Sequence, residues 1–522
     1  MTLDIFEKEK VASEKRFWLR TTRRCNNHCI FCHDSEIQNG EIIKTEELQR
    51  EIKEAYKNGY TRLILSGGEP TIHPDIINLI EFAKKTGFEW IQIISNGRMF
   101  AYSEFTSRII SAGLNEVTIS FHSHKEKIAE KLTDIKGSYK QTLSGIENLR
   151  KYNNLVISID IVINRYNVYH LKDSIEFFFT KYKISEFDLL HLTPFGRALT
   201  NYNLLKPDLM IEGREIKKAI DFAKRNNIVI WTNRVPPNLL EGNEEYIQDP
   251  HKIKDEIYGR SEIFKKYLTD GTLECKNIKR CADCFVREFC EFLIEINTRY
   301  QKKRIEYIEI TRPPSNMLIE KIFDHTTYNA TVITPPEYID IIKGEIAGSK
   351  KRIILKTNSI DGIQKVIEEI GCKYVISENL DILNLKGVKP IIILTRDILG
   401  RIKPTRGLRL IFPNSPTMVY ESEKILDIQD IKKIISEYNI KISNLPKCIS
   451  KKNFSNYPYY FKSEFITKEG LDLDAITEDF LLNRNYHKSL RCIRCAYNDQ
   501  CKGIHINHIR RFGFKILKPL TK

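Results

Sequence analysis

The chain has no apolar run long enough to cross a bilayer, which excludes a helical membrane anchor. Its start, Met1-Thr-Leu-Asp-Ile-Phe-Glu-Lys-Glu-Lys10, is charged and lacks a signal-peptide core, so a cytoplasmic location and no membrane partner are expected. Lys and Arg outnumber Asp and Glu by 83 to 68, a net charge of +15, yet no dense basic block or aromatic-basic motif is present. RNA is admissible as a partner but not favoured, and a solvated basic surface is the expected meaning. Too little chain precedes the first strand, at Phe17, to hold a leader-peptide recognition domain.

What is present starts with length and cysteine. At 522 residues, 41% hydrophobic and 10% aromatic, the chain should fold as two or three globular domains. Its 12 cysteines fall in clusters at 25–32, 275–290 and 492–501, with Cys372 and Cys448 isolated. In a cytoplasmic chain this points to metal or redox chemistry rather than disulfides, and Cys372 reads as a buried thiol. Such metal clusters are usually oxygen-labile, so an anaerobic or microaerobic host is expected.

The first cluster is Cys25-Asn-Asn-His28-Cys29-Ile-Phe31-Cys32. Three thiols on one short loop can converge, and a fourth local Cys is missing. Iron–sulfur cubanes normally take four cysteines, so three leave one iron open to a non-protein ligand. Zinc, with His28 or His33 as fourth ligand, is the competing reading. Downstream, Arg62-Leu-Ile-Leu-Ser66 reads as a strand running into Gly67-Gly68-Glu69-Pro70. There the two glycines let backbone approach something closely and Pro70 fixes the exit.

CxxxCxxC with Phe31 before its last Cys, then GGEP one βα unit later, resembles the radical SAM superfamily. The resemblance covers roughly the first 200 residues. It implies a partial (β/α)6 TIM-like barrel, an α/β fold whose strand-end loops gather at one rim. It also implies a [4Fe-4S] cluster on Cys25, Cys29 and Cys32, whose open iron chelates S-adenosyl-L-methionine (SAM). Cofactor contacts would come from Phe31, backbone groups at Gly67 and Gly68, the Glu69 side chain, Asn96, Ser120, Asn164 and His191. Reductive SAM cleavage to a 5′-deoxyadenosyl radical and hydrogen abstraction from substrate would follow, fed by a one-electron donor such as flavodoxin or ferredoxin. No further catalytic residue is assigned. His122 and His124, beyond a strand end, suit substrate or proton handling as readily as a solvent-facing loop.

The remaining clusters resemble the auxiliary-cluster modules of that superfamily, SPASM and twitch. Cys275-x5-Cys281-x2-Cys284-x5-Cys290 can close a [4Fe-4S] site by itself, although Ile294 stands where a full SPASM motif has another Cys. Cys492-x2-Cys495-x5-Cys501 has three local thiols, with Cys448 the natural fourth ligand and His505 the competitor. Zinc is the alternative at both sites.

The expected domains are 1–235, the barrel; 236–298, an auxiliary-cluster module; 299–447, a second α/β domain; and 448–522, a C-terminal cysteine-rich module. Within 299–447, Leu408 to Pro446 repeats the order of Asp188 to Pro237: strand, Pro turn, polar loop, helix, strand, Pro. The region lacks CxxxCxxC and GGEP, so it reads either as a degenerate barrel copy or as an unrelated α/β domain. The leading function is a radical SAM enzyme acting on a peptide or protein side chain. A tRNA or small cofactor precursor as substrate is the alternative, and a non-catalytic metal-bearing binding protein is the third reading.

Overall fold

A computed structural model of the protein describes residues 14–276, 278–403, 408–414, 426–438, 440–455 and 458–521. The charged start 1–10 and most of the expected polar loop, 415–425, lie outside the described residues. The chain divides into two compact units, Met1–Asp249 with Asn277–Phe285, and Pro250–Lys276 with Val286–Lys522. No described helix is long and apolar enough to cross a membrane.

The first unit is built on seven strands: β1 (Arg16–Thr22), β2 (Arg62–Gly67), β3 (Trp90–Ser95), β4 (Glu116–Ser120), β5 (Val156–Val162), β6 (Glu186–Leu190) and β7 (Val229–Asn233). They pair in sequence order, every pair parallel. The resemblance implies six strands; the seventh is the further run Ile228–Trp231. An all-parallel sheet in sequence order requires a crossover after each strand, and right-handed crossovers put every helix on one face. That face is apolar: Ile157, Ile159, Ile161, Phe187 and Leu189 are buried, each stabilising the unit by about 1.5–3 kcal/mol.

The alternate positions line the other face, the inside of a curled sheet, and they are polar. Glu116 there accepts from Arg62 and, at 2.9 Å, from the Trp90 indole N–H. Above it runs a belt in which Gln92 donates to Thr118 at 2.8 Å and Thr118 meets Ser158 at 2.9 Å. Gly87 ends Ile76–Thr86 in the left-handed region. Thr45 opens its helix without capping it, its hydroxyl donating to Asp75 at 2.6 Å.

Among the described residues the second unit holds an eight-stranded sheet. Its members are β8 (Ile305–Glu309), β9 (Thr326–Thr334), β10 (Arg352–Lys356), β11 (Tyr374–Ser377), β12 (Lys389–Ile393), β13 (Arg409–Ile411), β14 (Lys441–Ser443) and β15 (Phe461–Lys462). β8 to β14 again pair in sequence order and in parallel, with β15 added beside β8. Here both faces are apolar. Val332, Leu355, Val375, Ile392 and Leu410 are buried on one side. Ile333, Ile354, Ile376, Ile391 and Ile411 form one cluster with Tyr460 on the other. Within each unit's sequence-ordered run, 186–190 and 229–233 are sixth and seventh, and so are 409–411 and 441–443. Cys372 is buried, its thiol donating to the Tyr374 carbonyl at 3.1 Å.

Candidate active site

The loop leaving β1 carries Cys25, Cys29 and Cys32, and its backbone is pinned along its whole length. His28 N–H donates to Thr133 O at 3.0 Å and Ile30 N–H to Leu132 O at 3.0 Å. Arg98 donates to the Asn26 carbonyl and, at 2.9 Å, to Asn27 Oδ1. Arg197 donates from its side chain to Cys29 O at 2.9 Å and from its backbone to Cys32 O at 3.0 Å. Gly196, at φ +54°, is needed for the second contact, since a Cβ there would stand 2.6 Å from Cys32 O.

The Gly-Gly turn meets this loop at its root. Gly68 N–H donates to Thr22 O at 2.7 Å and Glu69 N–H to Arg24 O at 2.8 Å. A Cβ on Gly68 would lie 2.1 Å from Arg24 O, and one on Gly67, whose φ is +135°, 2.4 Å from Thr22 O. The close approach inferred for the glycines is therefore to the cysteine loop itself.

The three thiols lie within electrostatic reach of one another. Burial pushes Cys25 up to about 11, with the Glu69 carboxylate and the Cys32 charge adding to it. Cys29 is raised further, by burial and then by Cys25 and Cys32. Burial also raises Cys32, whose sulfur accepts an N–H from Gln38 at 3.4 Å. Crowded thiols that resist ionisation in the bare protein suit a cationic metal centre, which would stabilise the thiolates. Neither expected zinc partner joins them: His28 faces Asp134 at 3.3 Å and His33 faces Asp34 at 3.3 Å, both rings being exposed. Among the described residues no three His, Cys, Asp or Glu side chains converge to hold a single metal ion.

Several residues expected to touch the cofactor spend their side chains inside the protein. The buried Glu69 carboxylate accepts from Thr71 N–H at 3.1 Å, the Thr71 hydroxyl, Ser95 Oγ at 2.7 Å and Asn96 N–H at 2.7 Å. It thereby ties the turn after β2 to the end of β3. Asn96 donates to Asn26 Oδ1 at 2.6 Å. Asn164 donates to Val162 O at 2.9 Å and accepts from Tyr166 N–H at 3.0 Å. His191 Nδ1 lies 2.8 Å from the fully buried Glu212. Phe31 packs with Leu132, Leu192 and Ala198, edge-on to His122 at 4.5 Å. His122 is buried and accepts from Val162 N–H at 3.1 Å, burial pushing it down to about 3. His124 is held by Ser174 at 2.9 Å. Ser120 ends β4, paired with Asp160 of β5.

The anchors Arg98, Arg197 and Gln38 were not singled out from sequence as holders of the loop. Each contacts it from 6 to 168 residues away, and no local pattern marks them.

Of the later cysteines, Cys281 and Cys284 belong to the first unit's segment 277–285, and Cys275 and Cys290 to the second unit. That segment docks on the first unit. Lys206 pairs with Asp283 at 2.7 Å, and the Arg280 guanidinium lies 4.8 Å from the Phe195 ring centre and 3.3 Å from Glu36. In the second unit Cys448, Cys492, Cys495 and Cys501 line one cavity, and Cys448 and Cys492 are raised by burial and by the neighbouring thiols. Gly503 N–H donates to Cys501 Sγ at 3.3 Å. His505 is not part of that lining. It is buried, Nε2 lies 2.9 Å from Leu481 O, and Nδ1 accepts from Asn507 N–H at 3.4 Å.

The first unit is a parallel sheet with a three-thiol loop beyond β1 and a Gly-Gly turn beyond β2. The radical SAM superfamily profile matches residues 19–178. The chain is similar to the probable GTP 3′,8-cyclase of Thermoplasma volcanium, 31% identical over 36% of this chain and 56% of that protein. It is also similar to the probable GTP 3′,8-cyclase of Saccharolobus solfataricus, 26% identical over 38% of this chain and 65% of that one. The chain thus spans between half and two thirds of these relatives. Among solved structures, Streptococcus suis SuiB bound to precursor peptide SuiA aligns over 45% of this chain and 52% of its own, with 17% identity and a TM-score of 0.37. Methylornithine synthase aligns over 43% and 72%, with 15% identity and a TM-score of 0.31. Likenesses of that size carry no functional argument.

Proposed function

We propose that the protein is a radical SAM enzyme acting on a small precursor molecule. The observation carrying this reading is a trio of thiols within electrostatic reach of one another on one pinned loop, beside a Gly-Gly turn, with His28 and His33 both against carboxylates. Cys25, Cys29 and Cys32 would hold a [4Fe-4S] cluster with one iron left for SAM, and when bound that pair supplies the one-electron cleavage from which hydrogen abstraction starts.

The chain's own part is to position and to exclude water. Arg98 and Arg197 fix the loop, Glu69 locks the turn against β3, and Phe31 closes the loop's underside with Leu132 and Leu192. Glu69, Asn96 and Asn164 brace this rim through internal hydrogen bonds, and cofactor contacts would come from it, from backbone groups and from Ser120. A small precursor is supported by the names of the cyclase relatives. A peptide side chain is the second reading, favoured by the thiol-lined cavity of Cys448, Cys492, Cys495 and Cys501 as an auxiliary cluster site. The cysteines at 275, 281, 284 and 290 enter as auxiliary ligands on their spacing alone. The second sheet, its strands in the same order but one face carrying an isoleucine cluster in place of polar residues, fits a degenerate copy of the first.

The test is anaerobic reconstitution, reduction with dithionite and measurement of 5′-deoxyadenosine released from SAM. Release that Cys29→Ala abolishes is expected; none from fully loaded wild-type protein refutes the reading.

A further inference from the structure

The inner face of the first sheet holds two carboxylates that nothing in the loading of the cysteine loop uses. Asp160 on β5 and Asp188 on β6 are direct register partners, so their side chains stand on the same face of adjacent strands. Asp160 is in turn the partner of Ser120, the last residue of β4, which places the pair near the strand ends that carry the cysteine loop and the Gly-Gly turn. Asn233, at the end of β7, hydrogen-bonds Asp188 from its other side.

The group is rich in acceptors and short of donors. Asp188 Oδ1 and Asn233 Oδ1 are both shut off from solvent without a hydrogen-bond partner. Arg234 lies near Asp188 and offsets part of its charge, whereas the charged neighbours of Asp160 are all acidic: Asp188, Glu116 and Glu186. Of those, Glu116 is already paired with Arg62, and Glu186 accepts from the Trp231 indole at 2.7 Å. Buried acceptors without donors are costly, so an arrangement of this kind calls for a ligand that brings several N–H groups. Burial, then the Asp188 charge, raises Asp160, and burial pushes Asp188 up to about 6. A cation seated between them would return both to the carboxylate form.

We propose that Asp160, Asp188 and Asn233 form the seat for a cationic nitrogen group, an ammonium or a guanidinium, on the molecule this enzyme modifies. The proposal deepens the radical SAM reading and rests on it for the word substrate, but the seat is a property of the lumen by itself. The polar belt of Gln92, Thr118 and Ser158 forms its floor, and the cationic end of the molecule would be held there with its remaining atoms directed toward the rim.

The experiment uses the full chain and three probes of similar length, agmatine, 1,5-diaminopentane and the neutral 1,5-pentanediol, with binding followed by equilibrium dialysis. A Lys- or Arg-containing pentapeptide is a fourth arm. One or both cationic small probes should bind about tenfold or more tightly than the diol. Asp160→Asn and Asp188→Asn should each remove most of that preference. Binding by the peptide but not by the small amines keeps the cation seat and moves its source to a peptide side chain. Equal binding of cations and diol to wild-type protein overturns the proposal whether or not the variants fold, as does undiminished cation preference in the double variant. Deoxyadenosine release from wild-type protein is scored separately. Its absence sinks the radical SAM reading while leaving the cation measurement standing, and a failed cation measurement leaves SAM cleavage untouched.

Discussion

Gly68→Ala tests how the turn and the cysteine loop depend on each other. Gly68 does not lie in the left-handed region, so backbone strain is not the issue; the issue is space. The new Cβ would sit 2.1 Å from Arg24 O and 2.5 Å from Arg24 C, where ordinary contact begins at 3.4 Å, and both obstacles are backbone atoms of the residue before Cys25. The loop root must retreat, which breaks the Gly68–Thr22 and Glu69–Arg24 hydrogen bonds of 2.7 and 2.8 Å. Two such bonds are worth about 1 kcal/mol each, and overpacking adds about 1–3 kcal/mol. A loss of about 3–5 kcal/mol corresponds to a fall in Tm of roughly 10 °C for a unit of this size. Iron retained by Cys25, Cys29 and Cys32 should fall with it, because the first ligand is displaced. The control is Gly344→Ala, within the helix Ile339–Ile346, where an added Cβ meets nothing within 4 Å; it should gain about 0.5–1 kcal/mol. The assay is thermal unfolding together with iron content after anaerobic reconstitution. A Gly68→Ala protein with wild-type Tm and full iron would show that the turn does not hold the loop.

Cys448→Ser should remove one metal centre from the second unit, whereas His505→Gln should leave metal content unchanged while costing about 1–3 kcal/mol for its two internal partners; metal analysis of both variants decides between Cys448 and His505 as ligand. Glu69→Ala, which strands the buried N–H groups of Thr71 and Asn96, should destabilise by about 2–5 kcal/mol, read by denaturant unfolding. Asp188 has a folded pKa raised from 3.8 to about 6, so its contribution to stability is fully present below about 4 and is lost as pH rises through about 6. Asp188→Asn should therefore flatten the fall in stability between pH 4 and 7, and a variant with the wild-type slope contradicts the assignment.

The sequence by itself determined the chemistry of the first unit. Three cysteines on one short loop and two glycines one βα unit later are local patterns, and their spacing survives whatever the rest of the chain does. The segments 186–237 and 408–446 hold strands at the sixth and seventh places of each unit's parallel run.

Only the tertiary structure decided what those patterns are used for. Glu69 is bound by donors from Thr71, Ser95 and Asn96, because a buried carboxylate takes the donors that the neighbouring strand end presents. His28 and His33, near Cys29 and Cys32 in sequence, turn away to Asp134 and Asp34, and His505 is drawn to Leu481 O. Asp160 and Asp188 are 28 residues apart and carry no motif. They became a pair because strand register, set by hydrogen bonds between non-adjacent segments, brings side chains together that no local rule can match.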